Sequence, residues 1–102
     1  MIVLLWNKDA LREADETAAF YQEKQSGLEK RFLDNLEDAT ARIARNPYLY
    51  RKIENNIRKC KLPHFPYAVI YRIEKETLEI IAIMHLRQAP GYWKHRDSVF
   101  PS

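Results

Sequence analysis

The spacing of apolar residues changes along the chain, and each change marks a new element. Ile2–Trp6 is a short apolar run closed by the polar residues Asn7 and Asp9, a pattern that predicts a strand. From Asp9 to Lys24 the positions Leu11, Ala14, Ala18 and Tyr21 recur three and four apart, which places them on one helical face. Asp9 is the expected N-cap. Gln25-Ser26-Gly27 interrupts this pattern, and Ser26 followed three residues later by Glu29 reads as a capping box that opens a second helix. Its apolar stripe is Leu28, Phe32, Leu36, Ala39 and Ile43, and Asn46-Pro47 ends it, because the residue before proline is pushed out of the helical region. Two amphipathic helices with so short a break are expected to pack antiparallel as a hairpin.

Beyond the helices the period falls to two. Asn55-Asn56 reads as a turn. After it Ile57, Lys59 and Lys61 alternate with Arg58, Cys60 and Leu62, predicting a polar-faced strand near a sheet edge. Pro63-His64-Phe65-Pro66 bends the chain into a far more apolar pair of strands. In the first, Tyr67, Val69, Tyr71 and Ile73 share a face. In the second, Leu78, Ile80, Ala82, Met84 and Leu86 are expected opposite Ile81, Ile83, His85 and Arg87. Few of these residues suit water, so this hairpin belongs in mid-sheet, although Glu74–Thr77 lacks the glycine of the favoured turns. The expected fold class is α+β: a four-stranded, antiparallel-rich sheet covered on one face by a helical hairpin, in the order β-α-α-β-β-β, with residues 1–102 forming one domain.

Composition narrows the class. With 46% hydrophobic and 30% charged residues among 102, the chain is an ordinary globular one. No apolar run approaches a membrane span, and the apolar start is too short for a signal peptide. A lone cysteine, Cys60, excludes an internal disulfide and a cysteine-rich zinc site, and a cytoplasmic location is expected. The net charge of +3 hides a division. Residues 1–46 carry seven Lys/Arg against nine Asp/Glu, whereas residues 51–96 carry ten against four. A basic half fits an acidic or nucleic-acid partner, or a solvated face with surplus lysines.

The element order, Asn46-Pro47, Phe65-Pro66-Tyr67 followed by Tyr71-Arg72, and His85-x-Arg87-x-x-Pro90-x-Tyr92-Trp93-x-x-Arg96 resemble the RelE/ParE superfamily of toxins from type II toxin–antitoxin modules. The resemblance covers nearly the whole chain and is closest to the ParE, or plasmid-stabilisation, branch. It implies a toxin held inactive by a cognate antitoxin, in a possible hetero-oligomer. In the ParE branch the implied target is DNA gyrase, inhibited by binding. The RelE branch implies cleavage of messenger RNA on the ribosome, and a degenerate member would only bind an antitoxin. For the nuclease, the resemblance implies Lys59 and Lys61 on the strand before the hairpin, Arg87 at the end of the last strand and Tyr92 near the C-terminus. Where that branch has an arginine after the opening aromatic, Tyr67 is followed here by Ala68, which cannot contact a phosphate.

RNA cleavage by 2′-hydroxyl attack needs a base, cationic groups on the phosphorane and an acid. His85 suits either proton role, with Arg87 on a phosphate and Tyr92 or His95 as the other donor. Equally, His85 can end a strand with one structural hydrogen bond, while His64 suits a loop between prolines. For target binding the candidates are Arg51, Arg58, Lys59, Lys61, Arg72, Arg87, Tyr92, Trp93 and Arg96. Arg87 and Arg96 are suited to two-pronged contacts with carboxylates, or to tying the tail to the sheet with Trp93 buried beneath it. Antitoxin anchors are sought on the helices at Leu11, Phe20, Tyr21 and Leu28. Cys60 reads as a small buried hydrophobe. No motif calls for a cofactor or a metal.

Overall fold

The computed structural model describes residues 2–96. Strand β1 (Val3–Trp6) leads into helices α1 (Lys8–Lys24) and α2 (Leu28–Arg45). Strands β2 (Arg51–Glu54), β3 (Ile57–Lys61), β4 (Tyr67–Glu74) and β5 (Thr77–His85) follow, and a 3-10 turn spans Tyr92–His95. The strands form one sheet in the order β1-β5-β4-β3-β2. Pairing is antiparallel throughout except between β1 and β5, which run parallel. The α+β class and the central β4–β5 hairpin are as expected, but the sheet has five strands rather than four. The extra strand is β2, whose residues are exposed except for half-buried Glu54. A strand wetted on both faces has no period-two signal to read. Its presence moves β3 one place in from the edge.

Local chemistry sets the ends of the helices, and here two expectations are corrected. The α1 cap is Asn7 rather than Asp9: its Oδ1 accepts the Asp9 N–H at 2.8 Å, leaving Asp9 to complement the dipole within the first turn. Ser26 forms no capping box. The α2 cap is Gly27 at φ +88°, with no side-chain bond to the helix, a left-handed conformation natural to glycine. The α2 stripe is otherwise as expected, with Phe32, Leu36, Ala39 and Ile43 buried. On α1 the core positions are Ala10, Ala14, Thr17 and Ala18, while Leu11 is half exposed. Its small inward residues bring the α1 backbone close to the sheet.

The core lies between the helices and one face of the sheet, where Cys60, Leu62, Val69, Tyr71, Ile73, Leu78, Ile80 and Ile83 meet Phe32, Leu36 and Ile43. A second, smaller cluster of Ile57, Ile70, Ile81, Ala82, Met84 and Trp93 covers the other face. This division corrects the simple alternation expected on β5. Ile70 pairs with Ala82 but Tyr71 pairs with Ile80, so Ile81 is an extra residue, and a bulge reverses the facing of the strand beyond it. Leu78 and Ile80 therefore share the helix-side core with Ile83, whereas Ala82 and Met84 lie on the face away from the helices. The hairpin closes through Lys75, at φ +53°, and Glu76, so the favoured two-residue loop forms without a glycine. Buried Tyr71 donates its hydroxyl to the Pro47 carbonyl at 2.6 Å, which pins the end of α2 to the sheet.

At one end of the core, Phe32 is fully buried, with ring centres 5.4 Å from Tyr21, 5.4 Å from Phe65 and 5.8 Å from Tyr67. Truncating it opens a large apolar cavity, so Phe32→Ala should cost about 3–5 kcal/mol in urea unfolding. Half-exposed Phe20, by contrast, should tolerate alanine within about 0.5 kcal/mol.

Candidate functional site

Strand β5 has a partner on its β1 side for only half its length. The register runs from Val3–Thr77 to Trp6–Ile80, and the chain then leaves for α1, with the Asn7 N–H reaching the Ile80 carbonyl at 2.9 Å. Side chains take over from there. Ile83 N–H donates to Glu13 Oε1 at 3.0 Å, and Arg96 Nη1 donates to the Ile81 carbonyl at 2.9 Å. The same two side chains bind each other at both ends of the carboxylate, Nη1 to Oε1 at 2.8 Å and Nη2 to Oε2 at 2.7 Å. Tyr92 adds its hydroxyl to Glu13 Oε2 at 2.6 Å, and the Arg96 guanidinium lies 5.0 Å from the Tyr92 ring centre. Glu13 can do this because it stands three residues after Ala10 and four before Thr17, on the flank of the buried α1 stripe.

This clamp is only 13% exposed at Glu13 and 10% at Arg96. The Glu13 bond raises the Arg96 pKa further and so locks in its charge. Burial, reinforced by Glu13, pushes the Tyr92 phenol well above its usual 10.0. The Tyr92–His95 turn is thereby seated on the sheet, with Trp93 buried beneath it. The Trp93 ring nitrogen is buried and finds no acceptor among the described residues.

The face turned away from the helices holds a row of the expected cations. Lys59 pairs with Ile70 and Lys61 with Ala68, and Ala68 in turn pairs with Met84, so both lysines share the face of the smaller apolar cluster. Arg51 stands directly opposite Lys59. Two cations at directly opposed positions disfavour the pairing by roughly 0.2–1 kcal/mol, and no acid neutralises either among the described residues. With Ile53, Glu54, Ile70, Met84, Pro90, Gly91, Trp93 and Lys94, they line a cavity of about 270 Å³. Lys94 is held at 3.2 Å by Glu54. On the same face a neighbouring cavity of about 240 Å³ joins Trp93 and Arg96 to Arg72 and the buried carboxylate Glu79, which stand 3.9 Å apart.

The other candidates lie elsewhere. Arg58 faces the helix side, where Nη1 donates to the Tyr48 and Tyr50 carbonyls at 3.2 and 2.8 Å. Half-buried His85 packs edge-on against Tyr67 at 4.9 Å, and its Nδ1 accepts the Arg87 N–H at 3.0 Å. Arg87 itself is exposed. The five residues considered for a nuclease do not line one cavity: Lys59 and Lys61 lie on the open face, and His85 lines a separate cavity with Tyr67 and Glu13, the carboxylate that Tyr92 binds. Among the described residues no group of His, Cys, Asp and Glu is arranged to hold a metal, and no helix is long and apolar enough to cross a membrane. Cys60 is buried, which raises its thiol pKa. Of the helix candidates, Leu11 and Phe20 are half exposed, while Tyr21 and Leu28 are partly buried. Tyr21 belongs to the Phe32 cluster.

Two features had no reading in the sequence. Glu13 looks like one more acid on a wet helix face, and only the fold brings it to Arg96. On β1, Val3, Leu4 and Leu5 are 37–50% exposed, so the strand expected there forms an apolar edge.

Five strands, two helices on one face and a basic open face walled by a C-terminal turn define a small α+β protein. A solved structure described as the chromosomal ParDE TA system from P. aeruginosa has the same fold, with a TM-score of 0.61 at 15% identity, covering 83% of this chain and 96% of that one. A family model described as the ParE toxin of the type II toxin–antitoxin system parDE matches residues 4–90. The chain belongs to that family. A search of curated proteins returned no match.

Two measurements test the clamp. Arg96→Ala strands a buried carboxylate and should cost about 3–5 kcal/mol by thermal unfolding, while the double change Glu13→Leu with Arg96→Met should recover part of the loss. The raised Tyr92 pKa means the folded state keeps that proton to higher pH than the unfolded chain. Its stabilisation is complete below about pH 10 and drains away as pH rises beyond. Burial raises Tyr71 in the same direction, so Tyr92→Phe should lessen, but not abolish, the alkaline fall in stability followed by circular dichroism.

Proposed function

We infer that this ParE-family protein is a growth-inhibiting toxin that acts by gripping a macromolecular target, DNA gyrase, and that a cognate antitoxin neutralises it. The gyrase step comes from the resemblance to the ParE branch. The observation that best supports a binding mode is the open sheet face, where Arg51, Lys59 and Lys61 stand together without acidic partners among the described residues. Such a face attracts an anionic surface over a distance of several ångströms and orients it before contact. The clamped turn gives that face a fixed wall. A rigid surface loses less freedom on binding than a mobile one.

The antitoxin reading draws on the other side of the molecule. Leu11 and Phe20 on α1, with Leu33 on α2, are 41–50% exposed, and flanking Tyr21 and Leu28 extend them. An amphipathic segment laid along the helices would cover these anchors. Separate sites for target and antitoxin are compatible with neutralisation by obstruction or by a change of shape.

Expression of the chain alone should arrest growth, and co-expression of a short acidic protein from an adjoining reading frame should relieve the arrest. Purified gyrase should lose supercoiling activity as the protein is added. Arg51→Glu with Lys59→Glu should weaken that inhibition at least about tenfold, since reversing rim charges mainly slows encounter, with the melting temperature little changed because one opposed like-charge pair replaces another. New 5′ ends on translated messages in primer extension, abolished by Arg87→Ala, would instead establish the messenger-RNA endonuclease.

A further inference from the structure

We propose that the groove beside Arg51 and Lys59 is a docking site for an acidic peptide segment that carries an aliphatic side chain between its carboxylates. The inference deepens the toxin reading, on which it rests for the existence of a protein partner. Its grounds are the chemistry of the groove.

The rim is rich in cations, and the one acid that lines it, Glu54, is taken up by Lys94 at 3.2 Å. Arg51 and Lys59 face each other across β2 and β3, Lys61 continues the row, and none has an acidic partner among the described residues. Two carboxylates spaced along a peptide would remove the cross-strand repulsion that the free protein bears. Arg51 offers a planar two-pronged contact for one, and Lys59 a point charge for the other.

The floor is apolar and aliphatic. Ile53 and Pro90 are its exposed aliphatic surfaces, with Ile70 and Met84 buried beneath them, around a cavity of about 270 Å³ that has room for a leucine- or isoleucine-sized side chain. Trp93 forms part of the wall.

The same features argue against a single-stranded nucleic acid. Base recognition there relies on exposed aromatic faces as stacking platforms. Here Trp93 is 4% exposed, Tyr92 is bound to Glu13 and Arg96, and no other aromatic lines the groove. Charge attracts either polymer, but only the peptide uses the floor.

Fluorescence anisotropy on the full chain separates the alternatives, with three labelled probes of matched charge: a short peptide of Glu and Leu, a peptide of Glu and Gly, and a single-stranded oligodeoxynucleotide. The Glu–Leu peptide should bind at least about tenfold more tightly than either other probe and weaken as salt is raised. Arg51→Glu with Lys59→Glu should abolish its binding, whereas Lys30→Glu on the outer face of α2 should not. Ile53→Gln should remove the preference for leucine, and Ile53→Leu should keep it, with circular dichroism confirming that each variant is folded. Equal affinity for the two peptides, tighter binding of the oligonucleotide or no binding of any probe would overturn the inference. If growth arrest is observed without peptide binding, the docking site fails and the toxin reading stands. Peptide binding without growth arrest has the opposite meaning.

Discussion

The half-partnered edge of β5 is the constraint on which the arrangement turns. A central strand must satisfy its backbone groups on both sides, and an orphaned buried group costs roughly 1–3 kcal/mol. Strand β1 ends at Trp6, so the Ile81 carbonyl and the Ile83 N–H have to find partners outside any strand. Glu13 and Arg96 complete this edge, one from the first helix and one from the C-terminal turn. Each is charged, and each would be costly in so enclosed a place without the other. The β5 bulge at Ile81 lies at the same spot, where the ladder changes from strand to side-chain partners.

Much else depends on that closure. Because Arg96 is fixed by four hydrogen bonds, three to Glu13 and Ile81 through Nη1 and Nη2 and one through its backbone to Trp93, the Tyr92–His95 turn cannot drift from the sheet. Trp93 then caps the smaller apolar cluster and walls the basic groove. One ion pair thus links the first helix to the shape of a surface built mainly from β2, β3, β4 and β5. The helices contribute nothing directly to that surface. Their part is to bury the opposite face and to present Glu13 at its rim.

The legible parts of the fold were those in which local pattern and burial agree. Phe32, Leu36, Ala39 and Ile43 announce one buried helix face, and the dense apolar run from Tyr67 to Met84 announces a central hairpin. Strand β2 was illegible because Arg51, Lys52 and Ile53 are all exposed, and β3, not burial, makes them a strand. The caps were misread by one or two residues because Asn7, Asp9, Ser26 and Gly27 all have suitable chemistry. Only backbone geometry chooses among them. The bulge was invisible because Ile80, Ile81, Ala82 and Ile83 are all apolar, and a slip within such a run leaves no polar residue on the wrong side. For the candidate site, the basic composition of residues 51–61 marked the strands that carry the cations of the open face, and alternation separated Lys59, which faces the groove, from Arg58, which ties down a loop. The Glu13–Arg96 pair spans 83 positions, and no local pattern encodes such a contact.

Edge protection is a competing account of the cations on this side of the sheet, since charged residues on a terminal strand discourage pairing with other chains. It explains β2 well: the strand is short, carries Arg51 and Lys52, and is irregular between Lys52 and Glu54. The opposite edge lacks such protection, with Val3, Leu4 and Leu5 all partly exposed, so the chain does not treat its edges uniformly. Nor does edge protection reach Lys59, which is paired with Arg51 on one side and Ile70 on the other. It stands on the same sheet face as Ile70 and Met84 rather than outward along the edge. A residue paired on both sides has no edge to guard, which supports the anionic partner proposed for that face.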